Sequence, residues 1–331
     1  MIFLLAGEKG MDRRDFLKKS SALAALSAAS GLLPSLEAAE KVPEAEKGGI
    51  PDIAVVRNGD PAEMFDELIK TLGGMEKYVK PGQTVLIKPN IAWNQPPEMG
   101  ANTNPELVAA IIRHCKKAGA SQIYVFDTTC NFWADSYKTS RIAAAAGEAG
   151  AIVVGGDSDR DKKYLTANYS EVAVPRAKTL KKMVNHNLVR KCDVFINVPV
   201  LKVHGGAKLT CCMKNLMGTV SKEYHRYFHK NGLNQCIADC CSFRQPDLNI
   251  VDAYRVIISR GPRGVDQSDV KLLRYQMGGK DMVALDTAGA KMLNVPLRVV
   301  GHIAAAEALG LGTTDLKSLN IKRIYLKKRK G

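Results

Sequence analysis

Thr84-Val85-Leu86-Ile87-Lys88-Pro89-Asn90 opens the segment that decides the fold. Four apolar or β-branched residues in succession, with no polar alternation, describe a strand covered on both faces. Asn104-Pro105-Glu106 then starts a helix, with a capping amide, a proline in the first turn and an acid behind it. That helix runs through Lys117 and is closed by Gly119, and Ile123-Tyr124-Val125-Phe126 follows as a second strand ending at Asp127.

The same grammar extends in both directions. Upstream, Ile53-Ala54-Val55-Val56 reads as a strand and Pro61 to Leu72 as a helix. Downstream come a helix over Ser140 to Glu148, a strand at Ile152-Val153-Val154, and, after an irregular charged section, a strand from Asp193 to Val198. Leu248-Asn249-Ile250-Val251 ending in Asp252 and Met282-Val283-Ala284-Leu285 ending in Asp286 read as further strands, and Lys322 to Lys330 as a last strand with a basic end. The fold class is therefore α/β: a mostly parallel or mixed central sheet with helices on both faces.

Composition agrees and excludes other classes. The 331 residues are 46% hydrophobic and 24% charged, the balance of a globular domain and not of a disordered or polytopic membrane chain. A formal net charge of +15 favours anionic partners, while an aromatic content of only 6% argues against a base-stacking surface. Nucleic acid is not an expected partner.

Residues 1–39 read as an export signal. Arg13-Arg14-Asp15-Phe16-Leu17-Lys18-Lys19 precedes a short Ala-rich apolar run that ends near Gly31, Pro34, Ala38 and Ala39, the order of basic, apolar and cleavage regions. The stretch resembles a twin-arginine signal, which implies an exported, periplasmic or extracytoplasmic protein and the twin-arginine export machinery as a partner. Residues 40–50 then form a charged linker, and 51–331 a single α/β domain with room for two lobes.

Lys88, Asn90, Asp127, Lys202, Asp252 and Asp286 all follow apolar runs, and in open α/β sheets ligands bind at the carboxyl ends of the strands. Between Lys202 and Gly218 a strand leads into a Gly205-Gly206 loop, Thr210 is placed to cap a helix, and Gly218 to end it. Lys202, His204 and Lys214 would surround an anion there. Neither a P-loop nor a G-x-G-x-x-G pattern occurs.

Ile196 to His204, Met213 to Gly218, Pro246 to Ala253 and Gly261-Pro262-Arg263-Gly264 resemble the family called domain of unknown function 362, as do Ile87-Lys88-Pro89-Asn90 and Ala284-Leu285-Asp286. The resemblance implies a fold similar to the nucleotide-binding half of nickel-dependent lactate racemase. It also implies a polar cofactor or metal site built from Lys88, Asn90, Lys202, His204, Lys214, Asn215 and Asp252, with His229 as a further candidate. The iron–sulfur modules of some members are not expected, since no Cys-x2-Cys-x2-Cys-x3-Cys-Pro run is present.

Cysteine usage leaves alternatives open. Cys211-Cys212 and Cys236-x3-Cys240-Cys241 are clustered among eight cysteines. As thiolates, Cys211, Cys212, Cys236 and Cys240 would hold an iron–sulfur cluster or other metal, although adjacent cysteines on one helix point about 100° apart. Leu233, Cys236, Ile237, Cys240 and Phe243 equally form an apolar helical stripe, so packing or a disulfide explains the second pair.

Three functions fit. The first is an exported protein that binds a metal, iron–sulfur or phosphate-bearing cofactor and works in redox chemistry with a redox partner. In that first reading Asp252 or Asp127 would orient or accept protons. The second is a racemase- or isomerase-like enzyme acting on a small carboxylate, with His204 or His229 as acid and base and lysines clamping the carboxylate. The third is a non-catalytic protein that captures a small anionic ligand.

Overall fold

The computed structural model describes residues 48–156 and 162–327. The export signal, all but the end of the linker and the last basic residues lie outside them.

Twelve strands are present among the described residues: β1 (Ile53–Arg57), β2 (Thr84–Pro89), β3 (Gln122–Val125), β4 (Ile152–Val153), β5 (Tyr169–Ala173) and β6 (Lys182–His186), followed by β7 (Val194–Val198), β8 (Val200–His204), β9 (Lys208–Thr210), β10 (Leu248–Ile257), β11 (Val270–Gly279) and β12 (Ile321–Tyr325). Ten of them form one sheet in the order β12-β1-β11-β10-β7-β2-β3-β4, with β8 paired to β10 and β9. The half from β10 through β7, β2 and β3 to β4 is parallel. β11 runs antiparallel to both β10 and β1, so the sheet is mixed and mostly parallel, as its continuous apolar strands require. β5 and β6 pair separately within the section that reads as irregular in sequence.

The strands bury both faces. Val85, Ile87, Ile196 and Ile250 point to a core shared with helices α1 (Pro61–Thr71) and α2 (Pro105–Lys117). The alternate residues Leu86, Phe195 and Val251 point to a second core. It is shared with α5 (Cys212–Asn215), α7 (Leu233–Cys241), α8 (Met282–Met292) and α9 (Gly301–Glu307). Helices α3 (Trp133–Thr139) and α4 (Ile142–Glu148) flank the β3–β4 end, and α6 (Lys222–Lys230) precedes α7. The start of α2 is the one its sequence predicts: Asn104 Oδ1 accepts the Glu106 amide at 2.9 Å. No described helix is long and apolar enough to cross a membrane.

Three local expectations are corrected. Met282-Val283-Ala284-Leu285 is the first turn of α8, not a strand, and Asp281 caps it by accepting the Ala284 amide at 2.9 Å. The run is apolar because that helix is buried on nearly every side, which hides its period. β10 continues past Asp252 to Ile257, which puts that acid inside a strand. Thr210 ends β9, and the short helix after it starts at Cys212 with Asp286 as its partner: the carboxylate accepts the amides of Cys212 at 2.7 Å and Met213 at 3.3 Å.

Candidate functional site

Register across the sheet lines up three buried polar side chains. Lys88 on β2 pairs with Asn197 on β7, and Asn197 with Asn249 on β10. All are fully buried, and alternation turns them toward the face carrying α5. Asn215, the last residue of that helix, ties the row together. Its Nδ2 donates to Asn197 Oδ1 at 2.9 Å and to the Lys88 carbonyl at 3.3 Å, and its Oδ1 accepts from Lys88 Nζ at 3.1 Å and Asn90 Nδ2 at 2.9 Å. Asn197 Nδ2 donates in turn to the Cys212 carbonyl at 3.0 Å and Asn249 Oδ1 at 2.9 Å. Buried amides linked on both ends in this way have one arrangement available to them.

Beside the row stands an acid. Asp127, just beyond β3, places Oδ1 2.6 Å from Lys88 Nζ, while its Oδ2 accepts the Ile91 amide at 2.6 Å. Burial pushes Asp127 up and Lys88 down, and each opposes the other's shift. Gly218 closes over the pair, because a Cβ there would lie 1.9 Å from Asp127 Oδ1 and 2.8 Å from Lys88 Nζ.

Two more lysines extend the cluster outward. Lys202 Nζ donates to Asn90 Oδ1 at 3.0 Å and to the Ala101 carbonyl. Burial, with Lys214 and Lys88 also pushing, pulls its pKa down to about 7, against the pull of Cys130 and Asp127. Lys214 is half-buried and its ammonium finds no hydrogen-bond acceptor or ion-pair partner among the described residues. Burial lowers its pKa as well, with Cys130 and Asp127 opposing and Lys88 assisting.

The histidines around these lysines are held neutral. His204, half-buried, accepts the Gly206 and Ala207 amides on Nδ1, both at 3.1 Å, so its remaining proton belongs on Nε2. Burial first, then Lys214 and Lys202, bring it down to about 3. His225 faces inward, its Nε2 2.8 Å from the Met217 carbonyl, and is likewise held down at about 3 by burial and Lys214. His229 is exposed on α6, lowered by burial and by Lys214. Cys130 is solvent-exposed; surrounding protein raises its thiol while Lys214, Lys202 and Lys222 pull it back down.

The predicted residues thus divide. Lys88, Asn90, Lys202, Lys214 and Asn215 are brought together, with His204 and His229 in the field of Lys214. Asp252 stands apart: its oxygens accept the Asn104 amide at 2.7 Å and the Tyr254 amide at 3.0 Å. It holds the loop that carries Ala101, and burial raises its pKa to about 6. The four-cysteine set is not assembled. Cys211 and Cys212 instead join Asp286, with ligand atoms within 4.8 Å of one another. Their convergence defeats the helical spacing argument because Cys211, at φ −152 and ψ −144, is not helical. Cys236 and Cys240 pack in the core, and all eight cysteines are free thiols. Asn197 and Asn249 complete the site with no sequence signal of their own, and Gly218, which reads in sequence as a helix terminus, covers the ion pair.

Every residue of this cluster lies within residues 85–291, and that stretch, well over half of the chain, matches the family model described as domain of unknown function (DUF362). The chain belongs to the DUF362 family. The chain is 29% identical over 257 residues to the thylakoid-associated protein sll1697 of Synechocystis sp., covering 75% of this chain and 74% of that one. Among solved structures, it is similar to the lactate racemase apoprotein of Thermoanaerobacterium thermosaccharolyticum at 12% identity and a TM-score of 0.47, covering 73% of this chain and 57% of the other. A protein of Thermotoga maritima is similar at 10% identity and a TM-score of 0.46, covering 71% and 60%. This chain therefore spans less than two thirds of either solved relative.

Proposed function

We propose that this DUF362 protein binds a small, multiply charged anion, carrying phosphate or carboxylate, against Lys214 and Lys202, above the sealed Lys88–Asp127 pair. The observation that carries the reading is Lys214: a half-buried ammonium beside two other lysines, with no acceptor of its own in the described protein. A charge that crowded is costly unless a counter-charge arrives. His204 supports it, since its neutral ring offers an Nε2–H donor without adding charge. Equilibrium dialysis against inorganic phosphate and against oxalate tests the proposal. Saturable binding of at least one at a single site is expected; no saturable binding of either would contradict it.

Proton transfer on the bound anion is the second reading, favoured by Lys202, whose pKa of about 7 suits it to exchange a proton near neutrality. Solvent deuterium entering the α-position of a small 2-hydroxy acid would support it. The redox reading with an iron–sulfur cluster needs the four cysteines together, and the described geometry favours the anion site over it. Export through the twin-arginine route is inferred from Arg13-Arg14 and the run that follows. Fractionation of cells carrying the Arg13→Lys/Arg14→Lys variant tests that part, with loss of periplasmic protein expected.

A further inference from the structure

At the start of α5, Cys211, Cys212 and Asp286 bring two sulfurs and a carboxylate oxygen within 4.8 Å of one another, all buried. The ligand atoms of a tetrahedral zinc ion stand about 3.3–3.8 Å apart, given bonds of about 2.3 Å to sulfur and about 2.0 Å to oxygen or nitrogen, so the three need only small movements to share one ion.

A fourth donor stands beside Asp286, outside the 4.8 Å group itself. His302 on α9 is fully buried, and its Nδ1 lies 3.3 Å from Asn234 Oδ1, an acceptor, which places the ring proton on Nδ1. Its Nε2 lone pair is then turned to Asp286 Oδ2 at 3.6 Å and has no hydrogen-bond partner. Lone pair against carboxylate is repulsive in a buried site, and a cation between them satisfies both. The Asn234 contact is also the outer-shell partner that orients a metal-ligating histidine.

We propose that Cys211, Cys212, Asp286 and His302 form a closed, four-ligand structural site for a divalent cation of the zinc type. The donor set of two thiolates, one imidazole and one carboxylate is what such an ion selects, and four protein ligands leave no open position for catalysis. On binding, two S–H bonds break and two S–metal bonds form, releasing two protons to solvent with no change of oxidation state. The ion would fasten α5, α8 and α9 together. Since α5 also carries Lys214 and Asn215, the metal would hold the anion site in place without touching its ligand. This site is independent of the anion-binding proposal and can fail separately from it.

Cobalt(II) titration of the full chain, freed of metal by chelator under reducing conditions, tests the site. One equivalent taken up, with intense tetrahedral visible bands and thiolate-to-cobalt charge transfer, displaced by zinc, is expected. Cys211→Ser/Cys212→Ser should abolish the charge transfer, and His302→Gln should shift the visible bands and weaken binding about tenfold or more. Cys236→Ser/Cys240→Ser should change neither. X-ray absorption of the zinc-loaded wild type, which needs no variant to fold, should show two sulfur and two nitrogen or oxygen neighbours. Absence of stoichiometric uptake overturns the proposal, as does any other sulfur count. So does a His302→Gln variant with unchanged bands and affinity, which would make His302 and Asp286 a simple buried ion pair.

Discussion

Lys88 Nζ lies 2.6 Å from Asp127 Oδ1, with both side chains sealed from solvent where the adjacent strands β2 and β3 end. A buried ion pair adds little net stability, but removing one partner strands the other charge. Lys88→Met should therefore cost about 3–5 kcal/mol, and Lys88→Met/Asp127→Leu should recover most of it. Urea denaturation of the single and double variants measures this. Small, additive losses would mean that the two groups are not coupled.

Gly218 is required by what it covers. Gly218→Ala should cost about 1–3 kcal/mol, because the new methyl meets the Lys88–Asp127 pair and both charges must move. Gly147 in α4 is a control, since a Cβ there meets nothing within 4 Å. Gly147→Ala should instead stabilise by about 0.4–1 kcal/mol. Thermal melts of the two variants should shift in opposite directions.

Lys202 sets a pH dependence. Burial lowers its pKa to about 7, below lysine's ordinary value, so between those two values the unfolded chain holds a proton the native one lacks. Its contribution to stability accordingly falls as pH drops from the ordinary lysine range toward 7, and levels off below. Anion binding has the opposite trend, since a charged Lys202 is the better partner. Sulfate, which does not titrate in this range, should bind more tightly as pH falls through about 7 and draw in a proton, an uptake that calorimetry in buffers of different ionisation enthalpy resolves. His204 and His225, held at about 3, cannot supply that step. Lys202→Met should remove it.

Much of this was legible in the sequence, for physical reasons. Strands buried on both faces are continuous apolar runs, so β2, β3 and β7 announce themselves, and the polar residues at their ends stand out. Lys88, Asn90, Lys202, Lys214 and Asn215 are recoverable on that basis, helped by family resemblance. Asn197 and Asn249 are not, because their meaning lies in the pairing of β7 with β2 and β10, which no local pattern specifies. Asp286 is recognisable as polar but its element is not, since an all-round apolar turn looks the same in a buried helix and a strand. The cap signal at Asp281 was the available clue. His302 joins Asp286 through tertiary packing alone.

Lys214 tests the central claim most directly, because its ammonium makes no hydrogen bond or ion pair with the described protein, so its replacement breaks none. Inorganic phosphate and oxalate should be titrated by calorimetry into wild type and Lys214→Gln, with melting curves recorded for both. The account predicts a melting temperature for the variant no lower than that of wild type, because a desolvated charge has gone, and at least one anion binding about tenfold or more weakly to it, the loss of one charge-assisted contact. Equal affinities in the two proteins would contradict it.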